Sequence, residues 1–229
     1  MGSLFTGPDF SYHAEVPYRR MYSKIAVALG LDPLTRYEEL LETIGERKKG
    51  PIKPLMIEAG PCREVIKKGK DVNLLEFPIP KLHEKDGGRY LTGCVVAVRD
   101  EEINWTNYGS YRLMVRDEQS LVLGTIPRRT KPSHIQTIIE KYREKKKPLP
   151  FAVIIGGPPS LLFTAASLYT PPMGDDISIA GGLAATSIPL IKAQLSDILI
   201  PADAEIVLEG HIYPDDFADE GPFCSPSYY

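Results

Sequence analysis

The residues best suited to chemistry lie in four polar segments that separate apolar runs. The first, residues 104–112, reads Asn-Trp-Thr-Asn-Tyr-Gly-Ser-Tyr-Arg and combines side-chain oxygens, a glycine and a cation. Such a segment can present backbone N–H groups and side-chain oxygens to a phosphate or a metal ion. The same composition is typical of a hydrogen-bonded hairpin loop with an arginine on the next strand, so the segment alone leaves both interpretations open.

Two further segments stand at the starts of predicted helices. Residues 131–134 read Lys-Pro-Ser-His, and free backbone donors at a helix N-terminus can bind an anion. His134 could ligate a metal there, although a lone histidine is more often a surface or internally satisfied residue. Asp176 belongs to the segment Met-Gly-Asp-Asp at 173–176, where an aspartate is usually an N-cap but could also be a hard oxygen ligand. Asparagine, histidine and a carboxylate together would suit Mn²⁺ or Mg²⁺ better than Zn²⁺ or copper.

The fourth segment is acidic and reads Asp-Asp-Phe-Ala-Asp-Glu-Gly-Pro-Phe at residues 215–223. Most such loops are simply solvated. A carboxylate next to Arg112 would instead form an ion pair, and its protonation could serve acid–base chemistry. The spacing along the chain does not show whether the four segments converge.

The elements that must position these segments are predicted from periodicity. Residues 1–50 are predicted to be helical: apolar residues recur at helical spacing over 20–29, a capping box at 35–38 starts a second helix, and Gly50 stops it. This helical pair has no sheet of its own, and we expect it to pack on the rest of the chain or on a partner.

The remainder mixes short strands with inserted helices. Strands are predicted at 93–99, 111–115, 121–126, 151–155, 188–193, 197–200 and 205–212, and helices at about 132–146, 160–166 and 177–185. Residues 75–82 are extended, but two prolines make them a poor central strand. Strands and helices do not alternate regularly, which argues against a doubly wound parallel sheet and favours an α+β fold.

Composition excludes several classes of protein. Lys plus Arg number 27 and Asp plus Glu 30, a formal charge of −3 that argues against nucleic-acid binding. The basic runs at 47–49 and 143–147 are interpreted as solvated helix ends. Three cysteines without a CxxC pair favour a reducing cytoplasm over a disulfide framework or a zinc site. No run approaches the ~20 apolar residues of a membrane span, and we expect no membrane association.

Read together, these segments resemble the UbiD family of reversible decarboxylases. The resemblance is carried by the order and spacing of Asp-Gly-Gly-Arg-Tyr at 86–90, residues 104–112, residues 131–134, Pro-Ala at 201–202 with Glu205, Glu-Gly at 209–210, and Glu-Gly-Pro-Phe at 220–223. It implies an α+β fold containing a split β-barrel related to flavin reductases, with inserted helices. It also implies a division into an N-terminal helical segment, 1–50, and a cofactor-binding domain, 51–229, with the family's C-terminal domain absent.

The resemblance further implies a cofactor and the residues that hold it. The family uses prenylated flavin mononucleotide, whose phosphate is bridged by a divalent metal, Mn²⁺ or Mg²⁺, with K⁺ as a further ion. By resemblance, the metal ligands are Asn107, His134 and Asp176. The remaining residues expected to contact the cofactor are Ser110, Tyr111, Arg112, Ser133, Ala166, Ser167 and Leu168.

The catalytic assignment also comes from the resemblance. Arg112 and Glu220 match two members of a Glu-Arg-Glu network, whereas the position of the second acid is Ser225. The implied reaction is decarboxylation of an aromatic or α,β-unsaturated acid by a homo- or hetero-oligomer in which a further chain supplies the C-terminal part. A flavin prenyltransferase would be the source of the cofactor. The alternatives are a flavin or metal-phosphate binding module without lyase activity, and a scaffold subunit of a larger complex.

Overall fold

The computed structural model of the chain describes residues 22–125, 132–167 and 174–224. Five α-helices occur within these residues: α1 (Ser23–Ala28), α2 (Tyr37–Arg47), α3 (His134–Glu144), α4 (Pro159–Ala166) and α5 (Asp176–Ala184). The strands are β1 (Leu55–Met56), β2 (Tyr90–Leu91), β3 (Cys94–Asp100), β4 (Trp105–Gly109), β5 (Leu113–Val115), β6 (Leu121–Leu123), β7 (Leu149–Ile155), β8 (Pro189–Lys192), β9 (Leu199–Pro201) and β10 (Ile206–Ile212). Short 3₁₀ turns occupy Pro61–Arg63, Gly69–Asp71 and Leu74–Glu76.

The strands form three separate sheets. A central antiparallel sheet has the order β10-β7-β3-β4, and two smaller sheets have the orders β2-β5-β6 and β1-β8-β9. Only β1 and β8 pair in parallel among the strands of the described ranges. The predicted α+β class is therefore confirmed, but these sheets do not close into one barrel.

Strand β3 shows why the central sheet is buried on both faces. Side chains alternate across a strand, and here Val95 and Ala97 enter one apolar cluster while Cys94, Val96 and Val98 enter another. The first cluster is shared with α4, α5, β8 and β9, and the second with α3 and the β2-β5-β6 sheet. A strand covered on both sides has an unbroken apolar sequence, which explains the run at 93–98.

The two N-terminal helices pack on α5. Ile25, Ala26, Leu29 and Leu40 share an apolar cluster with Leu183. The capping box predicted at 35–38 is wrong: Arg36 is the N-cap without a side-chain bond, because the Thr35 hydroxyl donates to the Asp32 carbonyl instead.

The interpretation of the basic runs as solvated helix ends holds for Lys49, Lys146 and Lys147, which are exposed, but not for the two arginines. Arg47 donates to the carbonyls of Leu29 and Leu183 and so ties the helical pair to α5. Arg143 donates to the Pro214 carbonyl and to Asp215, and its guanidinium lies 5.5 Å from the Phe217 ring centroid. Both arginines therefore make tertiary contacts.

Leu40→Ala is expected to destabilise the chain by about 2–4 kcal/mol, because Leu40 is 2% exposed and its loss leaves a cavity in the α1–α2–α5 cluster. The measurement is urea denaturation. The matched control is Leu41→Ala, since Leu41 is 49% exposed and should change the free energy of unfolding by less than about 0.5 kcal/mol. Equal effects of the two substitutions would contradict docking of the helical pair.

The other helices and strands predicted within the described residues are confirmed with small shifts in their bounds. Residues 1–21, which are predicted to be helical, lie outside the described residues, and the segment predicted to be extended at 75–82 begins in a 3₁₀ turn. Residues 105–109 form strand β4 on the edge of the central sheet, where the sequence suggested a loop as one interpretation. Cys62, Cys94 and Cys224 form no disulfide with one another. None of the helices in the described ranges is long and apolar enough to span a membrane.

Candidate active site

The structure joins Arg112 and Glu220, which lie far apart in sequence. Arg112 follows β4, and its Nε and Nη2 donate to the two carboxylate oxygens of Glu220 at 2.9 and 2.7 Å. Both side chains are partly buried. A bidentate guanidinium–carboxylate pair fixes direction as well as charge, so the acid and the cation of the predicted pair face each other.

Arg112 itself is held by a close backbone neighbour. The Gly124 N–H donates to the Arg112 carbonyl at 3.0 Å, and a Cβ at Gly124 would lie 2.8 Å from Cγ of Arg112. A larger residue at 124 would push the guanidinium away from Glu220. On the other side, the guanidinium carbon lies 5.0 Å from the centroid of the Phe223 ring, a cation–π distance.

The segment that carries Glu220 is held by the turn at residues 86–88. Asp86 is 4% exposed and accepts hydrogen bonds from the backbone N–H groups of Cys224 at 2.8 Å and His83 at 2.9 Å. The Cys224 N–H, and after it the His83 N–H, stabilises the charged form and holds the pKa of Asp86 below its usual range, against the opposing effect of burial. The Gly87 N–H adds a 2.7 Å bond to the Pro222 carbonyl.

Gly87→Ala is expected to displace the 220–224 segment, because a Cβ at residue 87 would lie 2.1 Å from the Gly221 carbonyl oxygen. Backbone cannot yield as a flexible side chain can, so the bonds to Pro222 and Cys224 should open. The amide hydrogens of residue 87 and Cys224, followed by NMR, should then exchange with solvent at least about tenfold faster.

The control for this substitution is Gly93→Ala, since no atom lies within 4 Å of a Cβ built at Gly93. It should leave the exchange of both amides unchanged. Slow exchange of the Cys224 amide in Gly87→Ala would show that the turn does not hold the Glu220 segment.

The three residues predicted to bind metal lie on strand β4 or contact its residues. Asn107 lies on β4, is 4% exposed, and its Nδ2 has no hydrogen-bond partner among the described residues. Asp176 accepts from the neighbouring Tyr108 N–H at 3.3 Å and so covers the open edge of the strand. His134 begins α3, and its ring stands edge-on to Trp105 with centroids 5.3 Å apart.

Trp105 connects the two helix starts. Besides contacting His134, it donates through Nε1 to the Gly174 carbonyl at 3.0 Å, just before α5. Trp105 is not among the residues that the sequence predicts to bind metal or cofactor. The signal that could have found it is that this sole tryptophan stands two residues before Asn107, and alternate residues of a strand share one face.

The two aspartates at the start of α5 make different contacts. Asp175 is the N-cap and accepts from the Ser178 N–H at 3.1 Å. Asp176, the first helical residue, is 7% exposed, and burial raises its pKa to about 6, with Tyr108 N–H opposing the shift and Asp175 adding to it. A buried carboxylate beside an unpartnered amide is a suitable environment for a cation, which would compensate the charge.

In the part of the chain that the structure describes, no three histidine, cysteine, aspartate or glutamate side chains lie close enough together to hold a metal ion by themselves. A metal at β4 would therefore need the Asn107 amide oxygen and oxygens from a ligand or water. Asn107, His134 and Asp176 fit that requirement as a hard, incomplete donor set.

The residues predicted to contact the cofactor are partly brought together. The Ser110 N–H donates to the Ala165 carbonyl at 3.2 Å, which places the end of β4 beside Ala166 and Ser167 at the end of α4. Ser133 is the N-cap of α3, where its N–H donates to Gln136 Oε1 at 2.8 Å. Tyr111 folds against Gly109, whose missing Cβ would lie 2.3 Å from the tyrosine ring.

Two predicted positions, Leu168 and Ser225, lie outside the described residues. A cavity of about 1590 Å³ lies elsewhere, between α3, β6 and β10. None of the described residues assigned to catalysis, cofactor or metal lines this cavity, so the volume does not mark the proposed chemistry.

Comparisons with known proteins agree on one family. The family model described as "UbiD: 3-octaprenyl-4-hydroxybenzoate carboxy-lyase Rift-related domain" matches residues 55–227. Pyrrole-2-carboxylic acid decarboxylase of Pseudomonas aeruginosa is 34% identical over 205 residues, covering 89% of this chain and 40% of that protein. Ferulic acid decarboxylase 1 of Saccharomyces cerevisiae is 31% identical over 208 residues, covering 88% of this chain and 40% of that protein.

Solved structures give the same answer. The closed form of Sedimentibacter hydroxybenzoicus vanillic acid decarboxylase superposes with a TM-score of 0.81 at 32% identity, covering 90% of this chain and 44% of that one. An evolved dimeric form of the UbiD-class enzyme HmfF from Pelotomaculum thermopropionicum, in complex with prFMN, gives 0.79 at 29% identity, covering 92% and 47%. The chain thus spans less than half the length of these relatives, and by sequence and by fold it belongs to the UbiD family.

Proposed function

We propose that this chain is the cofactor-binding core of a UbiD-type decarboxylase acting on an aromatic or α,β-unsaturated carboxylic acid. The observation that carries the proposal is the bidentate Arg112–Glu220 pair, which places a permanent cation against a carboxylate that can exchange protons. The relatives named for pyrrole-2-carboxylic and ferulic acid support an aromatic or conjugated acid as the substrate class.

The cofactor in this proposal is prenylated flavin mononucleotide. Asn107, His134 and Asp176 would hold Mn²⁺ or Mg²⁺ against its phosphate, and Ser110, Tyr111, Ser133, Ala166, Ser167 and Leu168 would contact the cofactor, with K⁺ near 166–168. The unpartnered Asn107 amide and the buried Asp176 carboxylate support this assignment. When bound, the cofactor supplies an electron sink for the pair of electrons released as the carboxylate leaves.

The residues of the chain then do two things. Arg112 binds the substrate carboxylate and orients Glu220, since its charge persists at all relevant pH. As the bond between the substrate carbon and its carboxylate breaks, carbon dioxide departs without the bonding electron pair, which finally forms the new C–H bond. Glu220 delivers a proton to that carbon, so the product carries hydrogen where the carboxylate was.

The proposal extends to architecture and assembly. The central sheet and the β2-β5-β6 sheet would correspond to a split barrel related to flavin reductases, and a further chain would complete the site. A related vanillic acid decarboxylase, ShVdcCD, solved with truncated ShVdcD, supports the need for a partner. A flavin prenyltransferase would supply the cofactor, and three cysteines without a CxxC pair support a reducing compartment such as the cytoplasm.

The test is co-expression of the chain with a flavin prenyltransferase, followed by an absorption spectrum and a decarboxylation assay on aromatic acids. We expect bound flavin, and carbon dioxide release that depends on a partner supplying the C-terminal part. Flavin binding without turnover in the presence of that partner would favour a non-catalytic binding module. The serine at position 225, where the network would have its second acid, is consistent with that alternative. Absence of bound flavin would favour the alternative of a scaffold subunit.

A further inference from the structure

The Tyr90 hydroxyl is a buried polar group that the proposed chemistry does not use. Tyr90 begins β2 and is 1% exposed, yet its hydroxyl oxygen has no hydrogen-bond partner among the described residues. Buried hydroxyls nearly always have a partner, because an unpaired one has lost its hydrogen bond to water without a replacement. An unpaired buried donor therefore calls for a partner that arrives in another state of the protein.

The surroundings of Tyr90 point to the Arg112–Glu220 pair. Its ring packs on Phe223 with centroids 4.6 Å apart, and Phe223 in turn contacts the Arg112 guanidinium. Burial first, and then a side-chain interaction with Glu220 and the charge of that carboxylate, raise the pKa of Tyr90 to about 12. The hydroxyl therefore lies close to Glu220, although the two groups do not meet the geometry of a hydrogen bond while Arg112 occupies the carboxylate. Tyr90 thus remains protonated and can act as a donor, and its hydroxyl lies within the electrostatic reach of Glu220.

Substrate binding changes what Glu220 can bond to. Both of its oxygens are now occupied by Nε and Nη2 of Arg112. A substrate carboxylate that binds Arg112 with two hydrogen bonds competes for Nη2, because a bidentate contact needs two adjacent N–H groups. One oxygen of Glu220 then loses its donor, and the nearby phenol can rotate its O–H toward it.

We propose that Tyr90 is a positioning residue for Glu220, and that its hydroxyl donates a hydrogen bond to this carboxylate when Arg112 turns to the substrate. Glu220 would then keep its direction while Arg112 is occupied. The role of Glu220 in proton delivery rests on the proposed function, whereas the contact between Tyr90 and Glu220 can be measured without cofactor or substrate.

The contact is tested by NMR of the full chain labelled with ¹³Cζ-tyrosine, with Tyr90→Phe identifying the Tyr90 signal. Arg112→Met removes the competing donor, so the Tyr90 signal should shift as the phenol bonds to Glu220. The double variant Arg112→Met, Glu220→Gln should show no such shift. Identical Tyr90 signals in these two variants would overturn the proposal. If Arg112→Met does not fold, Arg112→Leu takes its place in both comparisons, with the same outcomes.

The functional consequence is tested in the assembled, flavin-loaded enzyme. Tyr90→Phe keeps the ring contact with Phe223 and should lower kcat about 10- to 100-fold, the loss expected for one hydrogen bond to a charged group, with KM and flavin content little changed. The control Tyr213→Phe, at an exposed position, should leave kcat unchanged. Unchanged kcat in Tyr90→Phe would overturn the positioning role. An inactive wild-type enzyme would count against the proposed function, and the NMR comparison would still decide the contact.

Discussion

Glu220→Gln is expected to lower decarboxylation by at least about 10³-fold in the assembled enzyme while leaving flavin bound, because glutamine cannot deliver and regain a proton. Gln is nearly isosteric and still accepts from Arg112, so the segment held by Asp86 should stay in place. The sharper measurement is hydrogen–deuterium exchange at the product carbon, which requires the same proton transfer without net turnover.

The matched control is Asp219→Asn, the adjacent exposed carboxylate, which should exchange at the wild-type rate. Exchange at the wild-type rate in Glu220→Gln would remove this residue from the mechanism. With serine at position 225, Glu220 has no second acid at the expected place on this chain. A slow wild-type enzyme that is accelerated by a partner chain would be consistent with an acid supplied in trans.

Asp176→Asn is expected to act in opposite directions on the metal-free and metal-loaded protein. The pKa of Asp176 is raised to about 6, so the folded chain holds this proton more tightly than the unfolded chain. Stability from this group is therefore present below the unfolded value of about 4 and is lost as pH rises to about 6. Asn cannot ionise, so it should stabilise the metal-free chain at pH 7 by up to about 3 kcal/mol, with no gain near pH 4.

Metal and flavin retention should fall in the same variant by at least about tenfold, and His134→Ala should do the same, because both are proposed to supply ligands. Urea denaturation at the two pH values and metal analysis of the purified protein give the two readouts. The exposed Asp203→Asn is the control and should change neither. Undiminished metal and flavin in Asp176→Asn or His134→Ala would show that the proposed ligand set is wrong.

Local physics made most elements of this fold predictable. The helix over 132–146 and the strands at 93–99 and 151–155 follow from apolar periodicity and from unbroken apolar runs, which report burial directly. The family resemblance likewise paired Arg112 with Glu220, which the structure joins. The element that was not predicted is β4, because its polar residues lack the apolar pattern of a strand.

The sequence by itself determined the α+β class, the order of the elements, the formal charge of −3 and the residue types available at the candidate site. Three contacts were decided by the tertiary structure alone. Asp175 caps α5, while Asp176 accepts from the Tyr108 amide. Trp105 contacts both His134 and Gly174, and the turn at residues 86–88 holds the Glu220 segment. The physical reason is separation along the chain: Asp86 and Cys224 are 138 residues apart, and no local propensity encodes which distant backbone group a buried carboxylate will meet. Such contacts are selected by packing of the whole core, in which most buried polar groups find a partner.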